Sequence, residues 1–550
     1  MAASLGWLAR RLRTLPARDA LLLGLLLLHV LANVQTPLVY FWKEPVFSLE
    51  DGFARPFLCK LGGPVEYASL FLSQFHAWQW AGALIIVAQT GVLVVLTYVY
   101  LKAVAGGGRM PADMRFLRSL PAVVYAMLAS QYDQDLGFIL VVLTALAGAA
   151  VYGWTARRAV VSRLALLVVL FALVTYLAGA GVFLLAGMIL LLDLAGRRFA
   201  PAVVTILLSG LVVVASAAGV GGILPLDVSW HAAETRSVRA LEIALCSVLV
   251  LSAAWAVFRA KALLVLGALR RKIGLVMPIQ SSKSGEPRRK SASQPRANPL
   301  AGPLLWLAGT TLLVAAGQVA VLVSIDRPRR REVGIYYYAH HRMWEDVLVA
   351  MRELPPQEDG YLFNIIRNFA LQQSGRLLDE MFTYRQNCLD VVPKDMDNDF
   401  PPYLQTLSEQ NLQLGLINDA EHVASEAVAM LHHRPSAMRQ LARIQLAKGR
   451  IDAARVVLNH LSYDIVHGGW ARQRLRRLDE DPALSADAEI QELRSRMIRR
   501  DDAPDVYVLL SDATVLYREE LAMENLLKQG KPNRVAFDLL MARCLLARRT

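Results

Sequence analysis

The sequence predicts an all-α protein in which a polytopic bundle of about nine membrane-spanning helices precedes an α-helical repeat domain. Hydrophobic residues make up 55% of the 550 residues, and the mean hydropathy is +0.37, which is too apolar for a soluble chain of this length. Charged residues are sparse before Ile325 and frequent after it. This asymmetry indicates two solvents, lipid for the first part of the chain and water for the second.

Apolar segments set the expected number of membrane crossings, because a spanning helix needs about 20 such residues. Six segments have about this length, namely Leu21–Tyr40, Trp78–Leu101, Leu136–Trp154, Val203–Val220, Val238–Phe258 and Leu304–Val323. Three are shorter, namely Leu117–Ser130, Leu164–Ala178 and Val182–Ala195. Gly179-Ala180-Gly181 separates the last two and predicts a tight bend. Whether the three short segments cross fully is left open.

The distribution of basic residues predicts the orientation. Arg and Lys cluster in alternate loops, at Arg10 to Arg18, Lys102 to Arg118, Arg157 to Arg163, Arg197-Arg198 and Arg259 to Arg296. The positive-inside rule therefore places the N-terminus in the cytoplasm. After a ninth crossing, the C-terminal domain is extracytoplasmic. Only the basic run around Arg329 conflicts with this orientation.

The same distribution excludes nucleic acid as a partner, although the net charge is +13. The basic residues lie in loops between apolar segments, and no zinc-finger spacing, RNP-like motif or basic helix accompanies them. The four cysteines show no CxxC pair. P-loop, GxSxG and HExxH motifs do not occur, so ATP hydrolysis and the familiar hydrolase chemistries have no support.

Composition predicts four segments. Residues 1–278 form the membrane bundle, and 279–299 form a cytoplasmic linker rich in Ser, Pro and basic residues. Residues 300–325 are the ninth spanning helix, and 326–550 form the repeat domain. In the repeat domain, Leu412-x-x-Gly415-x-Ile417-x-x-Ala420 matches Leu446-x-x-Gly449-x-Ile451-x-x-Ala454 at a spacing of 34 residues. This is the period of tetratricopeptide repeats.

Several stretches resemble a bacterial family of multi-spanning membrane proteins that is known only as a domain of unknown function. They are Phe53 to Tyr67 with Phe71 to Phe75, Trp344-Glu-Asp-Val, Asn364 to Met381 and Leu441 to Trp470. The resemblance implies a membrane half followed by a repeat half, and it implies no activity. Leu61 departs from the proline expected before Gly62-Gly63, which puts little in doubt.

The first extracytoplasmic loop carries the candidate catalytic residues, Glu50 and Asp51. It ends in an amphipathic segment, Pro64 to Trp78, that is typical of an interfacial helix. An acidic first loop before such a helix resembles the layout of C-type glycosyltransferases, which use a loop carboxylate beside a lipid-linked sugar donor. A carboxylate at the interface can deprotonate an acceptor hydroxyl. The alternative is that both acids are solvated loop residues or helix caps.

Further candidates lie in later loops and in the repeat domain. Asp133 and Asp135 have a D-x-D spacing that suits a divalent cation, although capping of the next helix explains either acid equally well. His231 and Glu234 are candidate binding residues of the third outer loop. Tyr337 and Trp344 are candidates for lining a peptide groove in the repeat domain, or for packing at the membrane interface.

Two hypotheses about function remain open. The chain is either an enzyme that transfers a sugar or similar group from a lipid-linked donor, or a non-enzymatic scaffold whose repeats bind protein partners. Nine helices are more than an anchor requires, which favours the enzyme. Repeat solenoids usually bind other proteins, which favours the scaffold.

Overall fold

The computed structural model describes most of the chain, namely residues 17–106, 117–155, 159–217, 238–255, 257–258, 301–388, 390–391, 401–431, 433–497, 520, 523–524, 526–528 and 533–547. The predicted linker at 279–299 lies outside this set. All regular secondary structure of the described residues is helical, as the sequence predicts. The chain separates into two compact units, and both are discontinuous in sequence. Unit 1 comprises Met1–Pro37 and Ala54–Asp326, and unit 2 comprises Leu38–Phe53 and Arg327–Thr550.

The helices up to residue 326 are numbered α1 to α12. They are α1 Ala17–Asn33, α2 Thr36–Lys43, α3 Ala54–Leu58, α4 Gly63–Gln74, α5 Gln79–Val104, α6 Leu120–Leu128, α7 Leu136–Trp154, α8 Val160–Ala178, α9 Gly181–Ala195, α10 Phe199–Ala217, α11 Val238–Trp255 and α12 Ala301–Val323. The helix α2 begins in unit 1 and ends in unit 2. A cluster of aliphatic and aromatic side chains forms the core of unit 1, and polar side chains such as Gln89 and Thr97 are buried in the same unit.

Four helices, α5, α7, α8 and α11, are long and apolar enough to cross a membrane, within the part of the chain that the structure describes. The number rises to five if the bent pair of α1 and α2 counts as one span. Three more apolar helical stretches have 10–17 residues. The helix α6 has nine residues and reaches only about 14 Å, roughly half of the hydrocarbon thickness.

The first predicted span, Leu21–Tyr40, is two helices that meet at an angle of 66°. Pro37 near the start of α2 has no N–H to donate, and in a continuous helix its ring would clash with the carbonyl group four residues earlier, at Asn33, so the helix is interrupted there. The side chain of Gln79 forms hydrogen bonds with backbone groups that the break between α1 and α2 leaves without helical partners. Its amide nitrogen donates to the carbonyl oxygens of Val30 at 3.1 Å and Val34 at 2.7 Å, and its oxygen accepts from the Thr36 N–H at 3.0 Å.

The hairpin of α8 and α9 turns where the sequence predicts a bend, and Gly179 has a φ of 53° there. The turn packs against Gly62, whose N–H donates to the carbonyl oxygen of Tyr176 at 2.8 Å. A Cβ atom at Gly62 would lie 3.3 Å from the backbone nitrogen of Gly179. The two glycine motifs that the sequence shows separately are therefore in backbone contact.

Two ion pairs cross the interior of unit 1. Arg163 lies 2.7 Å from Asp193, which also accepts a hydrogen bond from the Tyr152 hydroxyl at 2.8 Å. Arg118 lies 2.6 Å from Asp19. All four charged side chains are buried. Because an isolated charge in an apolar interior is costly, each pair holds two distant segments of the chain together.

Unit 2 continues the numbering. Its helices are α13 Arg327–His340, α14 Trp344–Arg352, α15 Tyr361–Gln373, α16 Leu377–Glu380, α17 Pro401–Leu414, α18 Ile417–Met430, α19 Pro435–Lys448, α20 Ile451–Leu461, α21 Gly468–Glu480, α22 Ala488–Arg496 and α23 Arg534–Leu546. Consecutive helices from α17 to α21 pack against each other, and α22 packs against α19. Unit 2 is thus a succession of helix hairpins.

The hairpin turns have one shared geometry. Gly375, Gly415 and Gly449 have φ values of 69°, 89° and 73°, the left-handed region that favours glycine. The residue after each glycine donates its N–H to a carbonyl five residues earlier, as Leu416 does to Asn411 at 2.9 Å. The matched alanines, Ala420 and Ala454, are 0% exposed. This confirms the predicted role of the small residues in close helix packing.

Residues 38–53 depart from the division predicted from composition, which includes them in the membrane bundle. They belong to unit 2. Phe41 packs edge-on against Tyr337 with ring centroids 5.6 Å apart, and the Arg329 guanidinium lies 4.0 Å from the ring centre of Trp42. The N–H of Leu49 donates to the carbonyl oxygen of Tyr463 at 3.0 Å. This segment, Leu38–Phe53, is called the strap below.

Candidate functional site

Unit 2 contains a cavity of about 270 Å³. Seven of its helices contribute side chains, and the loop between α13 and α14 contributes two more. The lining residues are Tyr336, Ala339, His340, His341, Arg342, Trp344, Ile366, Phe369, Pro402, Gln405, Thr406, Glu409, Ser436, Arg439, Gln440, Arg443, Trp470 and Glu489. Helical periodicity explains why Ser436, Arg439, Gln440 and Arg443 share one face of α19. The volume is close to that of a small-molecule or peptide side-chain pocket.

Aromatic rings line much of the cavity wall. Trp344 packs edge-on against Phe369 with the ring centroids 5.4 Å apart. On another side, the Trp470 ring has the guanidinium carbons of Arg439 and Arg474 at 5.0 and 5.6 Å from its centre. Such walls give a ligand apolar contact area and a surface for stacking.

The charges that line the cavity form a network around two glutamates. Arg443 lies 2.8 Å from both Glu409 and Glu489. Arg342 lies 2.8 Å from Glu409 and 3.4 Å from Glu489. Arg474 also binds Glu489, at 3.1 Å. Each glutamate therefore already has at least two guanidinium partners.

Arg439 lies outside this network. Within the described part of the chain it has neither a hydrogen-bond acceptor nor a carboxylate within ion-pair distance. Its observed partner is the face of Trp470. Loss of water lowers the pKa of its guanidinium from the usual value, and Glu489 at longer range opposes this effect. Arg439 is thus a partly buried cation at a cavity wall, and its donors have no protein acceptor among the described residues.

The histidines near Arg439 are held neutral. Loss of water lowers the pKa of His340 well below its usual range, and the adjacent His341 adds to this effect. Desolvation likewise lowers the pKa of His341, against a hydrogen bond to the Tyr337 carbonyl. Desolvation also lowers the pKa of His467, and together with the nearby charge of Arg439 it brings this pKa to about 4. A neutral imidazole can accept or donate a hydrogen bond without adding charge to the cavity.

The strap fixes one edge of the cavity through Glu44. This carboxylate is buried and accepts hydrogen bonds from the Ser436 N–H at 2.6 Å and the Ser436 hydroxyl at 2.5 Å. It therefore caps the N-terminus of α19, where free N–H groups favour negative charge. Burial nonetheless raises the pKa of Glu44 to about 7, although the Ser436 hydrogen bonds lower it. Glu44 has a φ of 35°, a strained value for a residue with a Cβ.

The predicted catalytic acids also belong to the strap. Both Glu50 and Asp51 are exposed. The nearest oxygen of Glu50 lies 3.7 Å from Nδ1 of His460, and about half of each side chain is exposed. A carboxylate beside an imidazole suits proton transfer, so the arrangement is compatible with the predicted chemistry and leaves it untested.

The predicted cation ligands belong to unit 1. Asp133 is buried, whereas Asp135 is exposed and caps α7 by accepting from the Gly137 N–H at 2.8 Å. In the described ranges, no group of three or more His, Cys, Asp or Glu side chains is arranged to hold a metal ion. The convergence of these acids with Glu50 and Asp51 stays a prediction.

The four predicted binding residues have different outcomes. Trp344 lines the cavity. Tyr337 packs on His341 with ring centroids 4.2 Å apart, beside the strap. His231 and Glu234 lie outside the described residues. The sequence patterns did not predict a role for Arg439, for Glu44 or for its partner Ser436. A serine directly after Pro435 at a helix start was the one available indication of a capped N-terminus.

Comparison with protein families places the chain in a family of unknown function. A family model described as "Family of unknown function" (DUF6057) matches residues 14–549. No curated protein matches, and no solved structure matches. The predicted resemblance to a family of unknown function is therefore confirmed, and no relative supplies an activity.

Proposed function

We infer the function of this chain from its own structure, because the chain belongs to a family of unknown function, DUF6057. We propose that it is a membrane-anchored receptor or scaffold, in which the helix hairpins of unit 2 are tetratricopeptide-like repeats that bind a segment of a protein partner. Concave surfaces of stacked helix pairs commonly serve this purpose. The observation that carries the proposal is the cavity of about 270 Å³, with its aromatic walls and unsatisfied Arg439.

The proposed setting is the inner membrane of a bacterium. The 279–299 linker and the other basic loops are cytoplasmic, and unit 2 is extracytoplasmic. The four or five apolar helices that are long enough to cross support a membrane location. Among the remaining predicted crossings, α6 and α9 have only 9 and 15 residues, so they need neighbouring helices to shield their ends.

A photo-crosslinking amino acid at Thr406 tests the proposal in the full chain in its native membrane. Thr406 lines the cavity, and its hydroxyl bonds only within its own helix, to the Pro402 carbonyl at 2.7 Å. We expect a discrete adduct with an extracytoplasmic protein, identified by mass spectrometry. A cytoplasmic partner would overturn the orientation.

Two matched variants give the test its controls. Val456 is 70% exposed on α20 and does not line the cavity, so the crosslinker at Val456 should not give the same adduct. Ala339→Trp fills the cavity and should abolish the adduct formed from Thr406. The same products from both positions, or no adduct from Thr406, would refute the receptor function.

Glu50 and Asp51 support a second candidate, the transfer of a sugar or similar group from a lipid-linked donor, with Asp133 and Asp135 as partners of a divalent cation. Their exposure leaves both strap acids free to meet a substrate, and His460 lies beside Glu50. In this mechanism one acid accepts the proton of the acceptor hydroxyl as the new bond to the sugar forms. In the same step the bond between the sugar and the lipid phosphate breaks, and the phosphate leaves with that electron pair.

Asp51→Asn distinguishes this enzyme from the receptor, because it keeps the size of the side chain and removes its basicity. If Asp51 is the general base, release of sugar from a lipid-phosphate-linked donor by the full chain in nanodiscs should fall by about 10²–10⁴. Glu50→Gln is the neighbouring control. Unchanged release in both variants, or none from the wild type, would exclude the transfer mechanism.

A further inference from the structure

Arg439 is the one cavity arginine that the described carboxylates leave without an ion pair. Three arginines and two glutamates line the cavity. Arg342 and Arg443 occupy both glutamates, each within 3.4 Å. A guanidinium has five N–H donors in a planar fork, and the contact of Arg439 with the Trp470 face uses none of them.

The surroundings compensate this charge only in part, through Glu489 and Glu409, which lie beyond ion-pair distance of Arg439. Arg439 also interacts electrostatically with His340, His341 and His467, and desolvation keeps all three from becoming cations. They can therefore donate to an anion or accept from a neutral group, but they cannot balance a positive charge. A desolvated cation is costly unless it is paired, so an anion that enters the cavity gains more here than at an exposed arginine.

We propose that Arg439 binds a single anionic oxygen group, a carboxylate or a phosphate, on the segment that the cavity receives. The planar guanidinium matches either group in a two-point contact. The Trp470 ring contacts one face of the guanidinium plane. This leaves the N–H groups along the edge of that plane free for the ligand. The aromatic walls formed by Trp344 and Phe369 then suit an aromatic or apolar group next to the anion. This inference rests on the proposed binding function and names the chemistry of its ligand.

Three fluorinated probes test the inference by ¹⁹F NMR with the full chain in nanodiscs. The probes are 4-fluorophenylacetate, 4-fluorobenzyl phosphate and the neutral 4-fluorophenylacetamide. We expect at least one anionic probe to bind roughly tenfold or more tightly than the amide, since the amide lacks the charge. The tighter of the two anions identifies the source of the group.

Arg439→Gln should weaken the binding of the preferred anionic probe by roughly 10- to 100-fold. Arg439→Lys keeps the charge without the fork and should give an intermediate loss. Arg476→Gln is the matched control, because Arg476 is exposed on α21 and does not line the cavity. Arg439→Gln should also leave the thermal stability unchanged or raised, whereas removal of an arginine with a structural role would lower it.

Equal binding of the amide and the acids, unchanged binding in Arg439→Gln, or no binding of either anion would overturn the inference. Its failure is separable from that of the receptor function. If the Thr406 adduct forms but the anionic probes do not bind, the receptor stands and the anion site is wrong. If the wild type forms no adduct, the receptor function itself fails.

Discussion

Gly415→Ala should destabilise unit 2 by about 3 kcal/mol, whereas Gly449→Ala should cost about 1 kcal/mol. The two glycines occupy matched turns with left-handed φ values of 89° and 73°. Their surroundings differ, because a Cβ at Gly415 would lie 2.3 Å from the backbone oxygen of Arg496, and a Cβ at Gly449 would meet no atom within 4 Å. Backbone cannot move aside as a side chain can, so Gly415→Ala adds a clash to the conformational strain.

Hydrogen exchange of the full chain in nanodiscs measures both effects as the free energy of local opening. Amides of α22 report on Gly415, since Arg496 ends that helix, and amides of α19 report on Gly449. Gly449→Ala serves as the matched control for the left-handed strain alone. Equal losses at the two positions would mean that the approach of Arg496 to the turn does not constrain unit 2.

Glu44→Gln should change how the stability of unit 2 depends on pH. The folded chain holds the Glu44 proton up to about pH 7, while an unfolded chain releases it near 4.5. A carboxyl with a raised pKa stabilises the fold at low pH, and this contribution is lost as pH rises from about 4.5 to 7. The loss in the wild type relative to Glu44→Gln amounts to about 3 kcal/mol, measured as the opening free energy of α19 amides at pH 4.5 and 7.5.

His467 provides the control of opposite sign. Nε2 of His467 lies 3.8 Å from Glu44, and its pKa is lowered from 6.5 to about 4. The folded chain resists protonation of His467. The stability that neutral His467 contributes is therefore lost as pH falls from about 6.5 to 4. His467→Gln should therefore steepen the loss of stability with rising pH, whereas Glu44→Gln should expose the opposite slope. Parallel pH profiles in the wild type and Glu44→Gln would show that Glu44 titrates normally.

Local patterns predicted the parts of the fold that depend on neighbours in sequence. The 34-residue match between the Gly415 and Gly449 surroundings correctly marked two turns and the buried alanines after them. The glycines at 179–181 correctly marked a hairpin. The first predicted span, Leu21–Tyr40, is broken into two helices near Pro37, and it is a single crossing only if the bent pair spans together. Gln79, which stabilises the break, is more than 40 residues away in sequence.

The candidate site was harder to predict, because its residues acquire their roles from partners in distant helices. Arginines and glutamates are common on helix faces, and nothing near Arg439 in sequence shows that the cavity glutamates are occupied by Arg342 and Arg443. Trp344 was identified from its aromatic neighbours, and it does line the cavity. The acids at 50 and 51 stand out in sequence as a pair, whereas Glu44 stands alone beside a proline.

Composition and local periodicity predicted the helical class, the apolar and polar halves of the chain and the positions of the glycine turns. These properties depend on neighbours within a few residues, because burial in lipid or in a helix hairpin imposes the pattern directly. The assignment of the strap to unit 2 depends instead on contacts between residues far apart in sequence. The Glu44–Ser436 contact joins residues 392 positions apart, and it forms because the free N–H groups at the start of α19 require an acceptor once they are buried.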